Sequence, residues 1–186
     1  MQQKSDNDFN QSLPLADLIW QQPEVIRWSQ RLLRLKKTEP ALTVGQILTQ
    51  SYQKLLGREL IASIHAQELA EALFKAPFVV VSHGIEPDPI LNYGNQTALN
   101  LWSMSWSEFT QTPSRLTAEP VNRATRASML EQVAKQGYID NYQGIRISSR
   151  GKRFAIERAI IWNLTDELGQ NCGQAATFSH WKWLES

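Results

Sequence analysis

The chain has 186 residues, enough for one domain with a real core plus an added helical segment, and its 42% hydrophobic and 20% charged residues suit an ordinary globular protein. Lys and Arg number 19 against 18 Asp and Glu, split 9 against 8 up to Ala76 and 10 against 10 beyond it, so no basic surface for nucleic acid is indicated. The single cysteine, Cys172, cannot close an internal disulfide, and with no basic-then-apolar start and no apolar run near about 18 residues the expectation is a cytoplasmic chain, neither secreted nor inserted in a membrane.

The first 12 residues are polar and without periodicity, which predicts a frayed tail. From Glu24 to Lys37, Val25, Trp28, Leu32 and Leu35 keep helical spacing beside a stripe of Arg27, Arg31 and Arg34, predicting an amphipathic helix. Thr43 with Gln46 has the spacing of a capping box and opens a second helix through Val44, Ile47, Leu48, Tyr52 and Leu55 as far as Gly57. A third runs from about His65 to Lys75 and is closed by Pro77. At Phe78 the texture changes to "FVVVS", and "ILNYG" follows the turn-rich "HGIEPDP", which predicts two strands in a hairpin. Gly94 then allows a tight bend and Asn95 a helix cap, with Ala98, Leu99 and Trp102 recurring at helical spacing. A short turn around Trp106 to Thr110, the loop "QTPSRLTAEP" and a helix from about Asn122 to Gln136 come next. The remainder, "YIDNYQGIRIS", "RFAIERAIIWNL" and "CGQAATFSHWKWL", reads as three long strands in an antiparallel meander, turning at "SRGK" and "DELGQN".

Two strands, a set of short helices and three strands make an α+β fold: a five-stranded antiparallel sheet with short helices on one face and N-terminal helices covering part of the other. Phe154, Ile156, Ile160 and Trp162 are expected on one side of the fourth strand and Ala155, Ala159 and Ile161 on the other, so both faces need cover. The expected division is a tail over 1–12, a helical extension over 13–60 and the domain over 61–186. Trp20, Trp28, Leu32 and Leu35 give the extension more apolar surface than a linker needs, which points to burial on the sheet or on a second copy of the chain.

The order of elements and the stretches "SYQKLLGREL", "APFVVVSHGIEPDPILNYGNQTAL", "PSRLTAEP", "GYIDNYQGIRISSRGKRF" and "GQAATF" resemble the MEKHLA domain, a family similar to PAS sensory domains, from about Val44 to Phe178. The resemblance implies a PAS-like sheet and a sensory or protein-interaction role. In plants the family ends large homeodomain–leucine-zipper regulators, where it is implied to control dimerisation or partner binding; this chain resembles the free-standing bacterial kind. It shows no homeodomain, no zipper heptads, no lipid-binding domain and no string spelling the family's name, so DNA binding does not carry over.

The resemblance also frames the cofactor question. Flavin-bonding relatives resemble one another in a cysteine beside the pocket, and "SEFTQTPSRLTAEP" has none; haem-binding relatives use a histidine on the long helix, and Asn122 to Gln136 has none, nor is there a CxxCH. Neither cofactor is expected, and which ligand is held, if any, stays open. His65, His83 and His180 fall on separate elements with no metal motif, "SSRGKRF" lacks the phosphate-loop spacing, and no GxSxG elbow occurs. Arg115, Glu119, Arg123 and Arg126 border the pocket in PAS-like folds. An arginine there can hold a ligand carboxylate, or Arg115 and Glu119 can pin the loop as an ion pair. Tyr93, Trp102, Trp106, Tyr142 and Trp162 are candidates for flat pocket walls, and equally for core. Three functions remain open: a non-enzymatic sensor acting through a separate output protein or its own dimer; a small enzyme with Glu119 or His83 as base and Arg115 holding an anionic substrate; and a dimerisation module without ligand.

Overall fold

Thr43 and Gln46 open the first helix of the computed structural model, which describes residues 42–62, 66–119, 129, 132, 133 and 135–185. Gln46 N donates to Thr43 Oγ1 at 3.3 Å and Thr43 N to Gln46 Oε1 at 2.8 Å, the reciprocal box that the spacing suggested. The helix, α1, spans Val44–Leu56 and stops at Gly57, whose φ of 69° makes the left-handed C-cap. Helix α2 covers Ala66–Phe74. The hairpin follows as β1, Val79–His83, and β2, Leu91–Gly94. Next come α3, Gln96–Trp102, α4, Trp106–Phe109, and a 3-10 turn over Ser114–Thr117. The helix expected over 24–37 lies outside the described residues, as do Arg123, Arg126, Trp20, Trp28, Leu32 and Leu35; of the helix expected over 122–136, residues 129, 132, 133, 135 and 136 are described and helical.

The meander is β3, Tyr138–Ile147, β4, Arg153–Thr165, and β5, Asn171–Phe178, with β6, His180–Trp183, after it. The antiparallel sheet runs β2-β1-β5-β4-β3, and β6 pairs with β4. β5 lies along the later part of β4, with Ile160 opposite Thr177, while β6 lies along its start, with Phe154 opposite Trp183. The last strand is thus one ribbon broken at Ser179, and the five expected positions are filled by six strands.

The helices divide over the two faces much as the element order implied. α1 lies on β4: Tyr52 meets Trp162 edge-on at 5.0 Å, Leu48 is fully buried, and Ser51 Oγ accepts from Thr165 N at 3.0 Å. Residues 44–56, which the sequence reading placed in the N-terminal extension, therefore share the core. α3, α4 and the 3-10 turn lie over the opposite face, where Trp102 meets Phe109, Phe154 and Phe178 at 5.2 to 6.2 Å.

The tight corner expected at Gly94 is present, β2 ending there and α3 beginning at Gln96, but without a positive φ; the glycine is required because a Cβ would stand 2.7 Å from the Phe109 ring. One expectation is corrected: the sides assigned to β4 are wrong beyond Glu157. Between Gly144↔Ile156 and Tyr142↔Ala159, β4 carries one residue more than β3, and Arg158 has φ 54°. One extra residue turns every later side chain over. Ile156, Ala159 and Ile161 consequently share the face of Phe154, whereas Trp162 lies under α1.

The corner at Asn95 holds these layers together. Its Oδ1 accepts from Ala98 N and from Val80 N, each at 3.1 Å, and its Nδ2 donates to Phe78 O at 2.6 Å and more weakly to Leu73 O and Ala76 O at 3.3 and 3.4 Å. The residue has no solvent exposure. Asn95→Ala leaves several buried backbone groups unmet and is expected to lose on the order of 3 kcal/mol or more in denaturant melts. Asn95→Asp sets a carboxylate against three carbonyls, which raises its pKa in the folded state above the unfolded value of about 4. Its stability is then fullest below that value and falls as pH rises through the folded pKa, so the deficit against the parent chain should be larger at neutral pH than in mild acid.

Candidate functional site

Small residues leave a hollow between the sheet and the helices of the Trp102 side. Along the sheet, Val81, Ala176 and Ile161 lie in one cross-strand row, and Ala159 follows on β4 after the bulge. With Trp102, Phe109 and Phe178 opposite and around them, they bound a cavity of about 290 Å³. The alanines matter because the neighbouring aromatic rings cannot close over them without leaving space.

The polar part of the wall comes from several elements. His83 and Gln174, partners across β1 and β5, bring an imidazole and a carboxamide. The imidazole Nδ1 is 2.8 Å from Gly84 O, so it is a donor there, and Gln174 Nε2 donates to Asn163 Oδ1 at 3.4 Å. Tyr142 and Arg146 come from one face of β3, Ser114, Arg115, Thr117 and Ala118 from the 3-10 turn and its end, and Met129 from the helix before β3.

The residues singled out from the sequence scatter over three environments. Trp102, Arg115 and Tyr142 line the cavity. Tyr93 and Trp106 are buried against each other, ring centroids 5.9 Å apart, and are absent from the lining; burial pushes the Tyr93 phenol well up from its ordinary pKa. Trp162 is fully buried beneath α1 on the far face. The suggested pair of Arg115 with Glu119 is not formed. Arg115 Nε instead reaches both oxygens of Asp88, at 3.0 and 3.1 Å, and Glu119 holds Arg153. The reason is strand direction: Ala118 bridges Arg146 and Glu119 N reaches Ile145 O, so adjacent residues at the end of the turn face opposite ways and Glu119 looks towards Arg153.

Arg146, Gln174, Phe109, Ile161 and Ala176 were not singled out. A signal existed for Arg146, which stands four residues after Tyr142 on the same face of a strand. None existed for Ile161, whose side depends on the bulge. No group of three or more His, Cys, Asp or Glu able to hold a metal occurs among the described residues, and no helix among them is long and apolar enough to cross a membrane.

Comparison with known proteins agrees with this geometry. The MEKHLA domain model matches residues 42–183, a little beyond the stretch whose resemblance was noted. Among curated relatives, the homeobox-leucine zipper protein HOX29 of Oryza sativa subsp. indica is 24% identical over 133 residues, 69% of this chain and 15% of that protein. The homeobox-leucine zipper protein ATHB-9 of Arabidopsis thaliana is 22% identical over 158 residues, 82% of this chain and 19% of its own length. The chain therefore spans under a fifth of either relative. A PAS domain from Colwellia psychrerythraea superposes with a TM-score of 0.52 at 16% identity, covering 63% of this chain and 95% of that one, which shows the PAS-like fold. An RNA-binding light-oxygen-voltage receptor gives the same score and identity over 77% of this chain and 36% of its own, again a likeness of fold.

Two measurements follow from the site's electrostatics. The Arg115–Asp88 pair is exposed, so Arg115→Ala should change stability by less than about 1 kcal/mol in chemical denaturation. Cys172, near the second, smaller space under α1, has its thiol pKa raised by burial first and by Asp166 second. Its stabilising effect is complete below the unfolded thiol pKa and is lost as pH rises through the folded one. Ellman's reagent should accordingly react more slowly with the folded chain than with the unfolded chain in mild alkali, and the folded rate should keep climbing where the unfolded rate has levelled.

Proposed function

Because the chain belongs to the MEKHLA domain family, whose model matches most of its length, we propose that it acts as a PAS-like sensory module that holds a small molecule and signals through protein contacts rather than through a reaction of its own. The cavity carries this reading. Its wall is apolar across the sheet and the Trp102 cluster, with a few polar groups at its edge, which is the make-up of a small-molecule site. The enzyme alternative finds less support. His83 is in the wall with a backbone carbonyl as its recorded partner, while Glu119, the other candidate base, is engaged by Arg153 and is not in the lining. An acid–base mechanism needs two such groups converging on one reacting atom.

The relatives are named as homeobox-leucine zipper proteins; the control of partner binding that the family resemblance implies is what we carry across, and the balanced charge of this chain gives no reason to carry across nucleic-acid binding. Of the segment 13–56 that the sequence marks as the interaction surface, 44–56 packs into the core, so we propose the partner contact on the remainder, through Trp20, Trp28, Leu32 and Leu35, with a second copy of this chain or a separate output protein as the occupant.

Native mass spectrometry of the purified protein tests the ligand reading: an adduct of fixed mass is expected, released on unfolding and absent from Ala176→Phe, which fills the hollow. Failure to retain or bind any small molecule, with Ala176→Phe melting like the parent chain, removes it. Sedimentation tests the partner reading. Trp28→Glu is expected to shift a homodimer to monomer with an unchanged circular-dichroism spectrum, whereas a parent chain that stays monomeric at all concentrations removes self-association.

A further inference from the structure

Among the described residues, Arg146 is the cavity-lining arginine without a carboxylate partner. Its guanidinium lies 5.4 Å from the Tyr142 ring centroid, with Nη1 and Nη2 both 3.4 Å from Tyr142 Oη and Nη1 3.1 Å from Ile145 O. None of these partners is charged. The ion pairs among the described residues join Lys75 to Glu71, Arg115 to Asp88, Arg153 to Glu119 and Lys182 to Glu157, leaving Arg146 out. Among the described residues no Asp or Glu lines the cavity, and Glu119 is taken by Arg153. Arg115, the other arginine of the wall, already has its carboxylate in Asp88.

A second lining residue has an unmet donor. Trp102, 3% exposed, carries a buried indole N–H with no acceptor among the described residues. Among the described residues the wall thus combines an arginine without a carboxylate, an indole N–H without an acceptor and an apolar stretch over Ile156, Ile161, Ala176 and Phe178, which a molecule of complementary character matches: acceptor oxygens and one negative charge at one end, hydrocarbon at the other.

Resting on the ligand-binding reading above, we propose that the cavity selects a small amphipathic monocarboxylate, its head paired with Arg146 beside Tyr142 and its apolar body lying against Ile156, Ile161, Ala176 and Phe178. A carboxylate fits because the planar guanidinium offers parallel N–H groups to two oxygens, and one charge balances one. A dianionic phosphate would leave a net negative charge in an apolar enclosure. The volume limits the body to a short chain or a single ring system, since about 290 Å³ holds roughly ten water-sized groups.

Titration of the full chain with octanoate, octan-1-ol and octylamine, followed by tryptophan fluorescence and by NMR, tests this. Octanoate should bind about tenfold or more tightly than the alcohol or the amine, the increment expected of one charge-assisted pair. Arg146→Met, which keeps the aliphatic stem, should bring octanoate down to the level of octanol while octanol is unchanged, and Arg146→Lys should retain part of the preference. Should Arg146→Met fail to fold, Arg146→Gln takes its place. Equal binding of the three probes by the parent chain, or a preference that survives loss of the guanidinium, overturns the assignment to Arg146 while leaving a ligand cavity in place. If none of the three binds up to its solubility limit and Ala176→Phe melts like the parent, the cavity reading itself falls and this inference with it.

Discussion

The carboxamide of Asn95 uses both its oxygen and its nitrogen inside the protein, and the five groups it reaches belong to three different segments. Oδ1 accepts from one amide of α3, Ala98 N, and one amide of β1; Nδ2 donates to carbonyls from the end of α2 and the link into β1. A buried amide left unmet would be costly, so these segments are held in one relative position. That position fixes the origin of α3, and with it Trp102 at the helix's last residue, where the ring meets Phe109, Phe154 and Phe178. Gly94, one residue earlier, leaves the room that Phe109 occupies. The inner wall of the cavity is thereby set by two consecutive residues.

A second constraint shapes the sheet. β3 and β4 each carry an extra residue near a non-glycine in the left-handed region, Asn141 at φ 61° and Arg158 at φ 54°. Asparagine tolerates that region better than most side chains; arginine does not. Such bulges sharpen the local twist and bend a strand. Their consequence here is topological: past Arg158, β4 presents Ala159 and Ile161 to the cavity and Trp162 to α1. Had the alternation continued unbroken, the large indole would face the hollow and fill it.

This contrast explains which parts of the protein could be read from residues alone. The capping box at Thr43, the glycine stop at Gly57, the hairpin and the Asn95 cap are local chemistry, complete within a few neighbouring residues, and they stand where the sequence placed them. The hairpin and the meander were legible because short turns force antiparallel neighbours, whereas the pairing of β1 with β5 that joins them into one sheet has no local signal. The site was legible only in part. Trp102, Arg115 and Tyr142 do reach the cavity, but Tyr93, Trp106 and Trp162 show that an aromatic ring in such a fold has several buried places to go. Ion-pair partners were the least legible. Arg115 and Glu119 are four residues apart, a helical spacing, yet the chain between them ends its 3-10 turn at Thr117 and is extended at Ala118, which sends the two side chains to Asp88 and Arg153 instead.

The alternation of β4 and β5 also bears on how occupancy of the cavity could be felt elsewhere. Ile161 and Ala176 face the hollow and stand opposite each other; Trp162 and Ala175, the next residues along the same two strands, stand opposite each other on the reverse face. Trp162 is the residue on which Tyr52 of α1 rests, and Ser51 is bonded to the end of the same strand at Thr165. A molecule pressing on the Ile161–Ala176 row therefore acts on peptide units that also carry the seat of α1, with a single sheet thickness between them. Interiors packed at this density pass small displacements on rather than absorb them. α1 is also the first described helix after residue 41, so the proposed ligand and the proposed partner contact would be coupled through one sheet thickness.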